Sequence, residues 1–205
     1  MSEILNAPSY RASRFRPATN DHVRLVHHGA ALPGRKLEYL IDLVPMLDHR
    51  YELTLILLPS NPGYLERLKR KAAQTVPGRV HFIAPIADKA KLFDELETFD
   101  IGIPPIVARQ LNDFYALPNK FFDFIMAGLA LAVAPLPMMQ QIVVDHEIGV
   151  VAEDQSPRAL AGSLNALSAN DINRYKLNSL KLAKSMNAET EQKKLLNIYE
   201  RILMN

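Results

Sequence analysis

The chain has 205 residues, of which 48% are hydrophobic and 22% charged, a composition typical of a globular protein with a buried core. Its formal net charge of +2 is too small to indicate a nucleic-acid partner, and the lack of cysteine excludes disulfides and thiolate metal sites. The sequence has neither a signal-peptide apolar region nor an apolar run long enough to cross a membrane, so we expect a cytoplasmic protein with at most peripheral membrane contact.

Residues 1–21 are polar, contain two prolines and show no hydrophobic period, which predicts a tail or linker before a single domain at 22–205. From His22 onward, short apolar strands alternate with helices. The strands are predicted at 22–28, 51–58, 79–84, 99–104, 129–134 and 149–152. The helices between them are predicted at 35–47, 62–75, 88–98, 118–127 and 138–146, with a long loop at 104–117.

Three further helices are predicted at 156–167, 171–185 and 189–203, with no strand between them. Strands that alternate with helices indicate a parallel sheet covered on both faces. The predicted fold is therefore a doubly wound, mostly parallel Rossmann-like α/β domain with a helical C-terminal tail.

The helix predicted at 118–127 carries an unusual pair of charges. Between Asp113 and Asp145 the only charged residues are Lys120 and Asp123, both near the start of an otherwise apolar helix. A lysine there opposes the helix dipole, so its position favours a bound anion such as a phosphate. The alternative is an ion pair between the two residues on the helix surface.

A second candidate phosphate contact follows the first strand. Gly29 and Gly34 bracket a turn, and Arg35 could contact a phosphate from a helix start. The alternative is a solvated arginine after an ordinary turn. In a doubly wound sheet the ligand lies at the carboxyl ends of the strands where the strand order reverses, which places this turn and Lys120 in one crevice.

The run ALPNKFFDFIMAGLALAVAPLPMMQQIV resembles the donor-binding signature of the retaining GT-B glycosyltransferases, the group 1 glycosyl transferases. The segments HHGAALPGRKLEYLI, HFIAPIADKAKLFDELETFDIGI and EDQSPRALAGSLNAL are similar to other parts of the same domain, and ILNAPSY is similar to the linker between the two GT-B domains. The resemblance covers the C-terminal, donor-binding half of such an enzyme.

The resemblance implies a role for several residues. Gly29, Arg35 and Lys120 match the positions that bind the donor diphosphate, and Asp123 falls where the family's glutamate binds the ribose hydroxyls. Other positions depart from the family pattern. Tyr115 replaces the first acid of the Glu-x7-Glu pair, Gln141 replaces a frequent glutamate, and Ala30 replaces a second arginine. Four residues remain as candidates for the sugar pocket: Asn112, Tyr115, Asn119 and Gln141.

The resemblance implies a domain that binds a UDP- or GDP-sugar for transfer to a glycan or lipid-linked acceptor, as in polysaccharide biosynthesis. We expect neither a cofactor nor a metal, because fixed cations can stabilise a leaving diphosphate. The isolated chain would be inactive without an N-terminal acceptor domain, supplied in the same chain or by another. Two alternatives are half of a nucleotide-sugar epimerase and a non-enzymatic nucleotide-binding or assembly module.

Overall fold

A parallel sheet forms the centre of the computed structural model, which describes residues 4–105, 107–108 and 110–203. The six strands in this part of the chain lie in the order β3-β2-β1-β4-β5-β6, and each pairs in parallel with its neighbours. They are β1 (Val23–Ala30), β2 (Tyr51–Leu58), β3 (Val80–Ile83), β4 (Ile101–Gly102), β5 (Ala130–Val133) and β6 (Gly149–Val151). The predicted doubly wound, Rossmann-like fold is confirmed.

The helices are α1 (Glu38–Leu43), α2 (Pro62–Thr75), α3 (Lys89–Leu96), α4 (Leu111–Tyr115), α5 (Asn119–Met126), α6 (Pro137–Asp145), α7 (Pro157–Asn165), α8 (Ala169–Ala183) and α9 (Ala188–Leu203). The last three form the predicted helical C-terminal segment. Capping residues define where they begin. For example, the Ser156 side chain accepts a hydrogen bond from Ala159 N, and Ser168 with Asp171 forms a capping box at α8.

Two predicted elements differ from the structure. The helix predicted at 35–47 is a 3-10 turn at Pro33–Arg35, the helix α1, and a second 3-10 turn at Val44–Met46. Pro45 has no N–H to continue the α-helical bonding pattern, which fits the tighter second turn. The segment predicted as loop contains α4. Part of it, residues 106 and 109, lies outside the described residues.

The sheet opens between β1 and β4. β1 pairs with β2 along all of its length, but with β4 only through Leu25–Ile101 and Val26–Gly102. The last residues of β1, from His27 to Ala30, therefore have no β4 partner in the strand register. Between β1 and β4 the order in which successive strands are added to the sheet reverses. The gap at this position forms the crevice that the topology predicts.

The helix α5 packs directly against the strand β4. All its residues from Phe121 to Met126 are buried. The contact depends on Gly102, because a Cβ at this position would lie 2.3 Å from Phe124 Cγ. This close packing fixes the start of α5 over the open end of the sheet.

Residues 4–21 run along the domain without helix or strand. Leu5 N and Tyr10 N donate hydrogen bonds to Glu191 and Glu189 of α9, and Ala188 N donates to Pro8 O. The segment thus packs on the C-terminal helices. Its role as a linker to another domain stays a prediction.

Candidate functional site

Lys120 extends from the first turn of α5 to the end of β1. Its side chain is partly buried, and its Nζ lies 3.4 Å from His27 Nε2. A Cβ at Gly29 would lie 2.7 Å from the same Nζ, and Gly29 has a φ of 141°, which L side chains rarely adopt. Any other residue here would strain the backbone, and its Cβ would displace the end of the lysine side chain. Burial and the nearby Arg35 lower the pKa of Lys120 to about 8.

His27 orients this lysine. Its buried ring places Nδ1 2.7 Å from the Ile103 carbonyl oxygen. A carbonyl only accepts, so Nδ1 carries the hydrogen and the lone pair of Nε2 is directed to Lys120. Burial, with the charge of Lys120, holds the pKa of His27 well below its ordinary value, so the ring is neutral at pH 7. His27 was not among the predicted site residues, although its place at the end of the first strand could have indicated it.

Asp123 lies one helical turn after Lys120, but the two do not pair. Its ion-pair partner is Lys89 on α3, at 2.7 Å, so the alternative of a Lys120–Asp123 ion pair is wrong. The residue is 3% exposed, and burial raises the pKa of its carboxylate despite the opposing charge of Lys89. Lys120 and Asp123 still attract each other electrostatically, because the charge of each favours the charged form of the other.

His28 lies on the other side of Asp123. Its Nε2 is 3.4 Å from Asp123 Oδ2 without hydrogen-bond geometry, and its ring meets Phe124 edge to face at 5.3 Å. Burial, followed by the charges of Lys120 and Lys89, lowers the pKa of His28 to about 3. The contact at neutral pH is therefore between a neutral ring and a carboxylate.

Arg35 lies at the end of a 3-10 turn rather than at a helix start, which corrects the expected local structure. It is exposed and lines a small pocket of about 70 Å³ between the first loop and the loop after β4. Gly34, Pro105, Asp113, Pro118 and Met139 line the same pocket. The charge of Arg35 contributes to the lowered pKa of Lys120, so the two cations interact electrostatically.

The four candidates for a sugar pocket are spread over the rim. Asn112 and Tyr115 are exposed on α4, and Gln141 is exposed on α6. Asn119 accepts a hydrogen bond from the Asn6 side chain at 2.9 Å. None of the four lines the Arg35 pocket, whereas Asp113, which was not predicted as a site residue, does. Their proposed contact with a sugar stays a prediction.

A larger apolar pocket of about 380 Å³ lies at the ends of β1, β2 and β3. Its lining consists of His28, Gly29, Ala30, Ile56, Leu58, Pro85, Ile86, Ala87 and Leu92. Gly29 and His28 connect this pocket with the Lys120 and Asp123 sites. Lys120, Asp123 and the apolar pocket are therefore neighbours at this edge of the sheet.

Within the described residues, no group of three histidine or acidic side chains is placed to hold a metal ion. Over the same part of the chain, no helix combines the length and the hydropathy needed to cross a membrane.

The reversed strand order, with a lysine and an arginine over the switch point, defines a Rossmann-like α/β domain with a basic crevice. The family model described as "Glycosyl transferases group 1" matches residues 22–170, and the chain belongs to this family. Among curated proteins, no sequence matches the chain.

Several solved structures share the fold. A glycosyltransferase from Rickettsia africae has a TM-score of 0.72 at 16% identity, covering 92% of this chain and 49% of its own. The Anabaena protein HepE, solved in complex with UDP and glucose, has a TM-score of 0.69 at 14% identity, covering 88% and 48%. WaaG, a glycosyltransferase involved in lipopolysaccharide biosynthesis, has a TM-score of 0.64 at 16% identity, covering 88% and 47%. The chain thus spans about half the length of the structures that it matches.

Proposed function

We propose that this chain is the donor-binding half, in the C-terminal position, of a retaining GT-B glycosyltransferase that acts in the cytoplasm. The observation that carries the proposal is the position of Lys120, which is partly buried on Gly29 and His27 at the switch point of the sheet. Placing a cation there is unfavourable without an anionic ligand, because burial opposes its charge. A nucleoside diphosphate supplies that anion.

The proposed diphosphate lies between Lys120 and Arg35. When a glycosidic bond to a nucleoside diphosphate breaks, negative charge accumulates on the leaving phosphate. Lys120, already held at the end of β1, stabilises that charge with little rearrangement, and the exposed Arg35 adds a second cation. This chemistry requires neither a cofactor nor a metal.

The nucleoside part is assigned to the apolar pocket. A planar base fits an apolar lining such as that formed by Ile56, Pro85 and Ile86, and Asp123 lies next to His28 at the edge of this pocket. We therefore propose, as the sequence predicted, that Asp123 belongs to the ribose site. Because HepE was solved with UDP, we propose a UDP-sugar as the first donor to test and a GDP-sugar as the second.

The acceptor is proposed to be a glycan or a lipid-linked saccharide, as in polysaccharide biosynthesis. The involvement of WaaG in lipopolysaccharide biosynthesis supports an acceptor of this class. An acceptor domain is expected to supply the other side of the cleft, which agrees with the coverage of about half of each matched structure.

The helix α9 offers a surface for that domain. Leu196, Tyr199 and Leu203 are 60%, 57% and 83% exposed and recur at helical spacing on one face. Exposed apolar stripes of this kind mark contact surfaces. We propose that this face packs against the acceptor domain and that the isolated chain is therefore inactive.

Epimerase chemistry is less favoured by the same geometry. An epimerase exchanges protons with the sugar, and histidine is the side chain most often used for this because its ordinary pKa lies near neutral pH. His27 and His28 both have a pKa far below that range. The non-enzymatic module remains as the outcome in which nucleotides bind but no transfer follows even when an acceptor domain is supplied.

Calorimetric titration tests the proposal. We expect the wild-type chain to bind UDP or GDP, and Lys120→Met to weaken that binding by about tenfold or more, the loss of one charged hydrogen bond. Lys91→Met, an exposed lysine on α3, serves as the matched control and should bind as the wild type does. Absence of binding for UDP, GDP and their sugars would refute the proposal.

A further inference from the structure

The two side chains of the Lys89–Asp123 ion pair differ strongly in their exposure to solvent. The Lys89 side chain is 54% exposed, whereas that of Asp123 is 4% exposed. The lysine Nζ lies 2.7 Å from Asp123 Oδ1. A ligand that approaches this site therefore meets the ammonium group before it meets the carboxylate.

Lys89 is held in place from two sides. Besides the hydrogen bond to Asp123, its ammonium lies 5.1 Å from the centre of the Phe93 ring. Charge-assisted hydrogen bonds and cation–π contacts both orient a flexible side chain. Lys89 is thus a directed donor rather than a freely moving surface lysine.

The position of Lys89 places this donor at the apolar pocket. Lys89 is the first residue of α3, shortly after a segment, Pro85 to Ala87, that forms one wall of the pocket. Leu92, one turn further along α3, lines the same pocket. Asp123 lies next to His28, which also lines this pocket. The ion pair therefore spans the edge of the pocket.

We propose that Lys89 and Asp123 bind the ribose as one unit, an inference that rests on the proposed nucleotide-binding function. The exposed ammonium donates a hydrogen bond to a ribose hydroxyl, and the buried carboxylate positions that ammonium. An ammonium has three donors, of which Asp123 uses one, and a hydroxyl accepts as readily as it donates. Lys89 is accordingly a specificity-determining residue for the nucleoside.

The test compares UDP and GDP with their 2′,3′-dideoxy counterparts by calorimetry. We expect Lys89→Met to weaken UDP or GDP binding by about tenfold, as for a hydrogen bond to a charged group. The preference for the ribose form over the dideoxy form should fall with it. The control Lys91→Met removes the same charge from the same helix and should change neither value.

A different role for Lys89, in which it only blocks access to Asp123, predicts a different effect of Lys89→Met on binding. If Lys89 only covered Asp123, its replacement would free the carboxylate, and Lys89→Met would bind the ribose form as tightly as the wild type or more tightly. That result, with the preference for ribose retained, overturns the inference.

A double variant addresses the unpaired carboxylate. Lys89→Met leaves Asp123 buried without its partner, which could disturb the fold rather than the contact. Lys89→Met with Asp123→Asn removes both charges and should bind as weakly as the single variant, with a thermal midpoint close to that of the wild type. Recovery of wild-type affinity in the double variant would overturn the inference.

The ribose contact and the proposed function are refuted by different outcomes of these titrations. If the wild type binds neither UDP nor GDP, both are refuted. If the wild type binds and Lys120→Met does not, but Lys89→Met is unchanged, the ribose contact alone is refuted.

Discussion

At the level of single residues, the site is built from groups whose burial is unfavourable without a ligand. Lys120 is partly buried against Gly29, and its neighbour His27 is neutral and directs a lone pair to it. Asp123 is buried, with Lys89 as its close ionic partner. Buried charged groups of this kind are typical of binding sites, where they make the folded protein less stable than apolar side chains would.

The burial of Lys120 predicts how the stability of the protein changes with pH. The pKa of Lys120 is about 8 in the folded protein, against an ordinary value of 10.5. Between these values the unfolded chain holds the extra proton, so this residue makes the protein more stable as pH rises from 8 to 10.5. Below pH 8 the folded protein carries the full unfavourable effect of the buried charge.

Lys120→Met should therefore raise the free energy of unfolding at pH 7 by about 1–3 kcal/mol, and the gain should diminish towards pH 10.5. Urea unfolding at pH 7 and pH 10 measures both values. The exposed Lys91→Met serves as control and should stay within about 0.5 kcal/mol of the wild type. A destabilised Lys120→Met at pH 7 would contradict the burial argument.

At the level of helices and strands, the packing of α5 on β4 determines where the site lies. β4 contributes only Ile101 and Gly102 to the sheet, while β1 continues past it to Ala30. The short strand leaves the crevice open, and the buried helix α5 places Lys120 over it. The contact between Gly102 and Phe124 keeps that helix close to the sheet.

Gly102→Ala should destabilise the protein by about 1–3 kcal/mol, because its Cβ would overlap the backbone end of the Phe124 side chain, which is buried and cannot move away freely. The displaced α5 should also weaken UDP binding. Denaturant unfolding and calorimetry measure the two effects.

Gly162→Ala is the matched control for this substitution. Gly162 is exposed within α7, and a Cβ added to it would have no atom within 4 Å, so alanine should stabilise the helix by about 0.4–1 kcal/mol. Equal effects of the two substitutions would show that the α5–β4 contact is not tight.

At the level of the complete domain, the protein presents two distinct surfaces. The crevice edge carries the nucleotide-binding candidates, and the C-terminal helix α9 carries exposed apolar residues beside the N-terminal segment. The α9 face is the surface that we propose an acceptor domain covers.

Replacing Leu196 and Tyr199 together by glutamine should leave the free energy of unfolding within about 0.5 kcal/mol, since both side chains are exposed. The wild-type chain should self-associate at high concentration through this face, and the double variant should be monomeric. Light scattering after gel filtration measures the masses. Lys193→Gln, exposed on the same helix, is the control. A wild type that remains monomeric at high concentration would contradict the proposed contact surface.

Local sequence predicted the order of the six strands and of every helix except α4, because hydrophobic periodicity and capping residues act over short distances along the chain. It also indicated Lys120 and Asp123, because a charge in an apolar helix is visible without any structure. The partners of these two residues depend on tertiary packing. His27 on β1 and Lys89 on α3 are distant in sequence from α5, and they meet it because the parallel sheet brings the ends of its strands together. Likewise, Lys89 is exposed and Asp123 is buried because of the way α3, α5 and β1 pack together. No local sequence pattern indicates this difference.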